Sequence, residues 1–333
     1  MRWALESSGP VTEPRTAGSI PPGTRDVLPD EMRELRQIQD AILGEFERSG
    51  YSEVRTPTIE YADLLARGGR RGGPLYRFLD DRGELVALRN DMTVPIARLA
   101  AARLGETSPP WRLSYLGQSF RTTSARRADL RESGQAGIEL IGPGGAEGTL
   151  EVLSVLDRCL AEVGLDGVVV SLGDARLWPA LLDRAGLGAK ERDACLEALA
   201  TGDLVGLERS LNGRSTGLEE VARTRGGADV LDVLEQAGDG GSGTAERLRS
   251  LWEGLDGDAM GFRVLFDLGM ARDPEYYSGE VFEVYIEGLG RSIGGGGRYD
   301  GLMEQSGISM PAAGFSINLE RVHEALIERG SVR

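Results

Sequence analysis

Phe120 to Gly142 reads FRTTSARRADLRESGQAGIELIG, and the fold turns on how its two halves are taken. The first half carries Arg121, Arg126, Arg127 and Arg131. Guanidinium groups present planar forks of donors, so such a cluster suits an anion site as well as a solvated surface loop. The second half alternates with period two, placing Gln135, Gly137 and Glu139 on one face of a strand and Ala136, Ile138 and Leu140 on the other. The apolar face predicts packing on helices. The polar face holds an amide and a carboxylate across a bare glycine, which fits either a floor for a small ligand offering N–H donors or the solvated face of an edge strand.

Upstream, Met32, Leu35, Ile38, Ile42 and Phe46 recur at helical spacing, with Asp30 as the expected N-cap and Gly50 as the stop. YSEVRTPTIE then predicts a strand interrupted by Pro57, as at an edge, a bulge or a contact with another chain. PLYRFLD and LVALRND flank the turn-prone Asp80–Gly83, a hairpin signal, and MTVPIARLAAARLG predicts a helix up to Gly105. A second hairpin joins Leu113–Arg121 to Gly134–Ile141 through the arginine-rich loop. A helix over 146–163 and the strand VVVSL follow. The segment 173–260 shows helical patterns broken by glycine, read as a mainly helical insertion. RVLFDLG, YYSGEVFEVYIEG and PAAGFSI resume the sheet before a helix from Asn318 to Glu328. Hairpins beside long helices predict an α+β fold, an antiparallel sheet flanked by helices. The expected organisation is a loose leader over 1–20, one domain formed by 21–172 and 261–333, and the insertion between.

Composition narrows the function. No run of about 18 apolar residues and no secretory signal is present, so no membrane span and a cytoplasmic location are expected. Cys159 and Cys195 sit at no metal or redox spacing, and His323 is the single histidine, which removes histidine-rich metal sites and conventional triads. Neither a metal nor a cofactor is expected. A net charge of −15 disfavours a nucleic-acid partner. The run SIGGGGRYDGL lacks the Lys-Ser/Thr ending of a phosphate loop, leaving a close backbone approach to the ligand floor or a simple turn.

The segments PPGTRDVLPDE, YSEVRTPTIE, LRNDMTVPIAR, FR with IELIG downstream, ARDPEYYSGEVFEVY, GGGRYDGL and GFSINLER resemble, in order and approximate spacing, a class II histidyl-tRNA synthetase catalytic domain. The resemblance spans about residues 20–330 apart from the insertion. It implies that Pro57 is the proline of the dimer-interface motif, and that Arg121 and Arg321 are the arginines of the second and third class II motifs. It further implies that Asp91, Gln135, Glu139 and Tyr277, with Tyr276 and Tyr299 nearby, surround histidine, and that Arg272 stands near the amino-acid carboxylate.

The departures carry as much information. Thr123 replaces the glutamate that contacts adenine, and Asp129 stands where the family has an arginine, a reversal implying a loss of several kcal/mol of triphosphate affinity. Pro274 and Glu275 disturb the catalytic arginine's motif, and Asn318 replaces a glycine. The chain ends shortly after Arg321, where a synthetase continues into an anticodon-binding domain. An amino-acid half kept beside a disabled ATP half is similar to the family of ATP phosphoribosyltransferase regulatory subunits. That resemblance implies a non-catalytic subunit, a short-form catalytic partner, self-association as a dimer within a hetero-octamer, and feedback by L-histidine. Arg121 and Arg321 are then vestigial anion-binding residues. A truncated histidine-activating ligase is the enzymatic alternative.

Overall fold

Apolar residues at helical spacing build α1 (Pro29–Arg48), which buries Leu35, Ile38, Ile42 and Phe46 while Met32 stays half-buried. The expected cap moves. Leu28 is the extended N-cap residue, Pro29 takes the first turn, where no N–H is needed, and Asp30 lies in that turn, where a carboxylate suits the helix dipole. Gly50, at φ +83°, ends the turn beyond Ser49. The computed structural model describes residues 18–69, 75–122, 130–211, 217–236, 239–255, 260–272 and 276–330. The leader up to residue 17, Thr123, Arg126, Arg127 and Asp129 of the basic loop, and Asp273, Pro274 and Glu275 lie outside the described residues.

Beyond α1 come β1 (Ser52–Glu53), β2 (Ile59–Tyr61), α2 (Ala62–Ala66), β3 (Arg77–Leu79) and β4 (Leu85–Leu88). The last two form the predicted hairpin. Asp80 closes its turn by accepting from the N–H groups of Arg82 and Glu84 at 2.9 and 2.8 Å. With β2 it makes a three-stranded antiparallel sheet in the order β2-β4-β3. Arg89, buried at the end of this sheet, donates to the carbonyls of Thr56, Pro57 and Gln118 and so fixes the Pro57 segment against the larger sheet.

The chain continues through α3 (Thr93–Arg103), β5 (Trp111–Phe120), β6 (Glu132–Ile141), α4 (Gly145–Glu162) and β7 (Val168–Asp174). A helical stretch follows: α5 (Leu177–Arg184), α6 (Ala189–Thr201), α7 (Leu204–Leu211), α8 (Leu218–Arg223), the short β8 (Arg225–Gly226), α9 (Leu231–Gln236) and α10 (Asp239–Leu255). It closes with β9 (Phe262–Asp267), β10 (Glu280–Ile286), β11 (Ser292–Arg298), α11 (Asp300–Gln305), β12 (Ala312–Asn318) and α12 (Leu319–Glu328).

Nine strands form one sheet in the order β1-β5-β6-β12-β11-β10-β7-β9-β8. Its centre is antiparallel as expected, but β1–β5 and β7–β9 pair in parallel. Parallel neighbours need a crossover, and the helical stretch supplies it between β7 and β9. One face of the central strands packs on α1, α4 and α12, with Ala136, Ile138 and Leu140 fully buried in that core. Trp178, Leu248 and Leu251 of the helical stretch join the same cluster. Among the described residues no helix is long and apolar enough to cross a membrane.

Candidate functional site

β6 lies between β5 and β12, so the alternative of a solvated edge is removed: Gln135 and Glu139 are both buried. Register aligns Glu139 with Leu113 and Gly314, Gly137 with Tyr115 and Ser316, and Gln135 with Gly117 and Asn318. The Glu139 carboxylate is 2 % exposed. It accepts from the Thr93 hydroxyl at 2.6 Å and from the Tyr299 hydroxyl. Gly314 makes room for it, since a Cβ there would overlap Glu139 Oε2. Burial and the neighbouring Glu139 charge push the Tyr299 phenol well above its ordinary pKa, so it stays protonated as a donor.

Asp91 sits just before α3 and accepts from the Thr93 and Val94 N–H groups at 2.7 and 3.2 Å. The same turn therefore orients the carboxylate and aims the Thr93 hydroxyl at Glu139. Tyr276 packs edge-on against Tyr277 at 4.8 Å between ring centroids, and lies 6.1 Å from Tyr299. These side chains and the glycines of β11 close around a narrow recess of about 10 Å³, lined by Asp91, Thr93, Gly295, Gly296, Ser316 and the three tyrosines among others. The glycine run is thus a strand in close approach to its neighbours rather than a turn: a Cβ on Gly296 would overlap the Gly314 carbonyl oxygen.

One expectation is corrected. Gly137 is no bare floor, because the Tyr115 phenol lies over it, and a Cβ at 137 would overlap both that ring and the Phe315 carbonyl oxygen. The recess lies over β11 and β12 instead. Gln135 and Glu139 share one face and neither is among the residues that line the recess, but Glu139 is joined to it through Thr93 and Tyr299, which are. Arg272 forms an ion pair with Glu283, which also accepts from the Tyr285 hydroxyl at 2.6 Å. Glu283 pairs in register with Gly295 and so stands beside the recess.

The two arginines assigned to phosphate contacts brace backbone. Arg121 donates to the Asn90 carbonyl at 3.2 Å, and Arg321 to the Ser292 carbonyl at 2.7 Å. Asn318, read from sequence as an added side chain, caps α12 by accepting from the Arg321 N–H at 2.9 Å. Thr93, Tyr115 and Glu283 were not identified from sequence. Thr93 follows Asp91 by two residues at a helix start, a readable signal, whereas Tyr115 and Glu283 reach the site only through strand register. No cluster of metal-ligating side chains occurs among the described residues.

Residues 23–322 match the family of histidyl-tRNA synthetases. Over 322 residues the chain is 40% identical to the ATP phosphoribosyltransferase regulatory subunit of Moorella thermoacetica, covering 93% of this chain and 82% of that one. The chain belongs to the ATP phosphoribosyltransferase regulatory subunit family. Among solved structures, a regulatory subunit/histidyl-tRNA synthetase from Bacillus halodurans C superposes with a TM-score of 0.85 at 29% identity, covering 94% of this chain and 84% of that one. A histidine–tRNA ligase subunit from Alicyclobacillus acidocaldarius gives 0.81 at 30%, covering 96% and 100%. These likenesses carry the class II synthetase-like α+β fold expected from the motifs.

Proposed function

We propose that this chain is the non-catalytic regulatory subunit of a glycosyltransferase complex, working with a short-form catalytic ATP phosphoribosyltransferase in the first step of histidine biosynthesis and sensing L-histidine. One observation supports the reading: Glu139 is buried directly behind a tyrosine-walled recess, held by Thr93 and Tyr299, which line that recess together with Asp91. Two carboxylates among aromatic faces complement a ligand bearing N–H donors and positive charge. L-Histidine brings both, an imidazole for one carboxylate and an α-ammonium for the other. Arg272 would meet the ligand carboxylate by exchanging its partner Glu283. Gln135 and Tyr277 would complete the surround.

At about 10 Å³ the recess is far smaller than the roughly 300 Å³ at which ordinary ligand pockets begin, so binding requires the tyrosine wall to open. A ligand that widens one state of the subunit shifts the assembly only by its difference in affinity between states. Dimerisation within a hetero-octamer is supported by the outer face of the small sheet. Ile59, Tyr61 and Phe78 share that face and remain 49%, 57% and 40% exposed.

Co-purification with the catalytic subunit, then phosphoribosyl transfer assayed with and without histidine, tests the proposal. A histidine-insensitive complex in which the chain makes no difference to rate would end it. The ligase reading is kept in view by the name of the Alicyclobacillus protein. Histidine-dependent ATP–pyrophosphate exchange by the chain alone would favour it, and none is expected.

A further inference from the structure

Tyr276 and Tyr277 ride on a short segment leading into β10, and Ser278 and Gly279 of that segment are fastened from outside. The Gly279 carbonyl accepts from the Ala175 N–H at 2.9 Å, and the Ser278 N–H donates to the Arg298 carbonyl at 2.9 Å. The Ser278 hydroxyl accepts from the Asp300 N–H at 2.7 Å. Gly279 is wedged between two arginines: a Cβ there would lie 3.1 Å from Arg298 and 3.5 Å from Arg176. Glu280, buried at the end of the segment, accepts from Arg176 and from the Thr149 hydroxyl, each at 3.1 Å.

Arg176 is itself held. Asp174, whose side chain is fully buried, accepts from the Arg176 Nε and Nη2 at 2.9 and 2.8 Å. The same carboxylate accepts from Arg247 Nε at 3.0 Å, and Arg247 belongs to α10, the last helix of the helical stretch. Two buried carboxylates and two arginines thus run from α10 to Glu280, three residues along the chain from Tyr277 of the recess wall. Buried carboxylates of this kind persist only when each is paired, so moving one member obliges the others to move or to lose a partner.

We propose that the helical stretch regulates the ligand recess through this relay, with Arg247, Asp174, Arg176 and Glu280 acting as positioning residues for Tyr276 and Tyr277. The proposal rests on the reading of the recess as a histidine site. It assigns the helical stretch a role beyond covering the sheet: whatever displaces α10 loosens the tyrosine wall, and a ligand that sets the tyrosines tightens α10 by the same coupling energy. The relay uses discrete hydrogen bonds between two buried carboxylates and two half-exposed arginines, each made or broken rather than graded.

The test uses the full chain in complex with its catalytic subunit. In the wild type, L-histidine is expected to slow amide exchange around Arg247 as well as around Tyr276, a readout that needs no variant. Arg247→Met is expected to weaken histidine binding in calorimetry by roughly 2- to 30-fold. Arg247→Lys, which keeps a charge beside Asp174, is expected to recover most of that affinity. Arg158→Met provides the control, since Arg158 joins α4 to Glu45 of α1 at 2.7 Å and lies outside the relay. Its histidine affinity should match the wild type, and an equal loss there would reduce the effect to general destabilisation and overturn the relay. Wild-type binding together with unchanged affinity in Arg247→Met and unchanged exchange in α10 overturns the relay alone. No histidine binding by the wild type overturns the recess reading, and the relay with it.

Discussion

Asp174 and Glu139 both project from the nine-stranded sheet into the protein interior, yet Asp174 meets guanidinium groups from Arg176 and Arg247 while Glu139 takes hydroxyl donors from Thr93 and Tyr299. Burial alone would raise the pKa of Asp174, but the hydrogen bonds and charge of Arg176, with Arg247 beside it, hold it below the usual carboxylate range. Its charge is answered within the fold. The Thr93 and Tyr299 hydroxyls orient the Glu139 carboxylate, an arrangement that suits the ligand contact proposed for it. The difference separates a clamp from a proposed sensor on a single sheet.

Asp174→Ala should break the comparison on the clamp side with the largest loss. Removing one partner of a buried pair costs about 3–5 kcal/mol, reduced here because both arginines reach solvent at one edge. Denaturant unfolding reads it. The pH dependence has a definite sign: with a depressed folded pKa, this stabilisation is complete above the ordinary carboxylate pKa and is lost as pH falls through the folded value. Asp174→Asn should therefore flatten the acid limb of a stability profile.

Gly314→Ala attacks the sensor side through space, since its Cβ would collide with Glu139 Oε2 and the Ile138 carbonyl oxygen. Overpacking of about 1–3 kcal/mol is expected in unfolding, with histidine affinity falling by tenfold or more as the carboxylate is displaced. Tyr299→Phe removes one donor to Glu139 and should cost histidine binding about 1–2 kcal/mol while changing the fold little. Asn318→Ala sharpens the contrast from outside both sites. Losing the α12 cap should cost about 1 kcal/mol of stability and leave histidine affinity as it was, on paired calorimetry and melting curves.

Period-two alternation in GQAGIELIG placed Ala136, Ile138 and Leu140 in the core and aligned Gln135 with Glu139, and the strand obeys it. Helical spacing likewise found the buried stripe of α1. Register was not legible. Tyr115 covers Gly137 because β5 pairs with β6 at that residue, and nothing local in either strand announces it. The parallel β7–β9 pair was missed for the same reason, its partners being separated by the whole helical stretch. Asp91, Tyr276, Tyr277 and Tyr299 do converge on one recess, with Glu139 held behind it by Tyr299, whereas Arg121 and Arg321 donate to backbone carbonyls, a contact visible only once the sheet is assembled. Asn318 shows how chemistry at a helix start can be misread as a departure from a motif: the side chain fills a capping role.

On the reading proposed above, the buried carboxylate behind the tyrosine-walled recess senses histidine. Calorimetric titration of L-histidine into the assembled complex, wild type beside Glu139→Ala, tests it most directly. Saturable binding in the wild type and a loss of about a hundredfold or more in the variant is predicted, as expected when a charged partner is removed from a buried site. Equal affinity in the two proteins would contradict it.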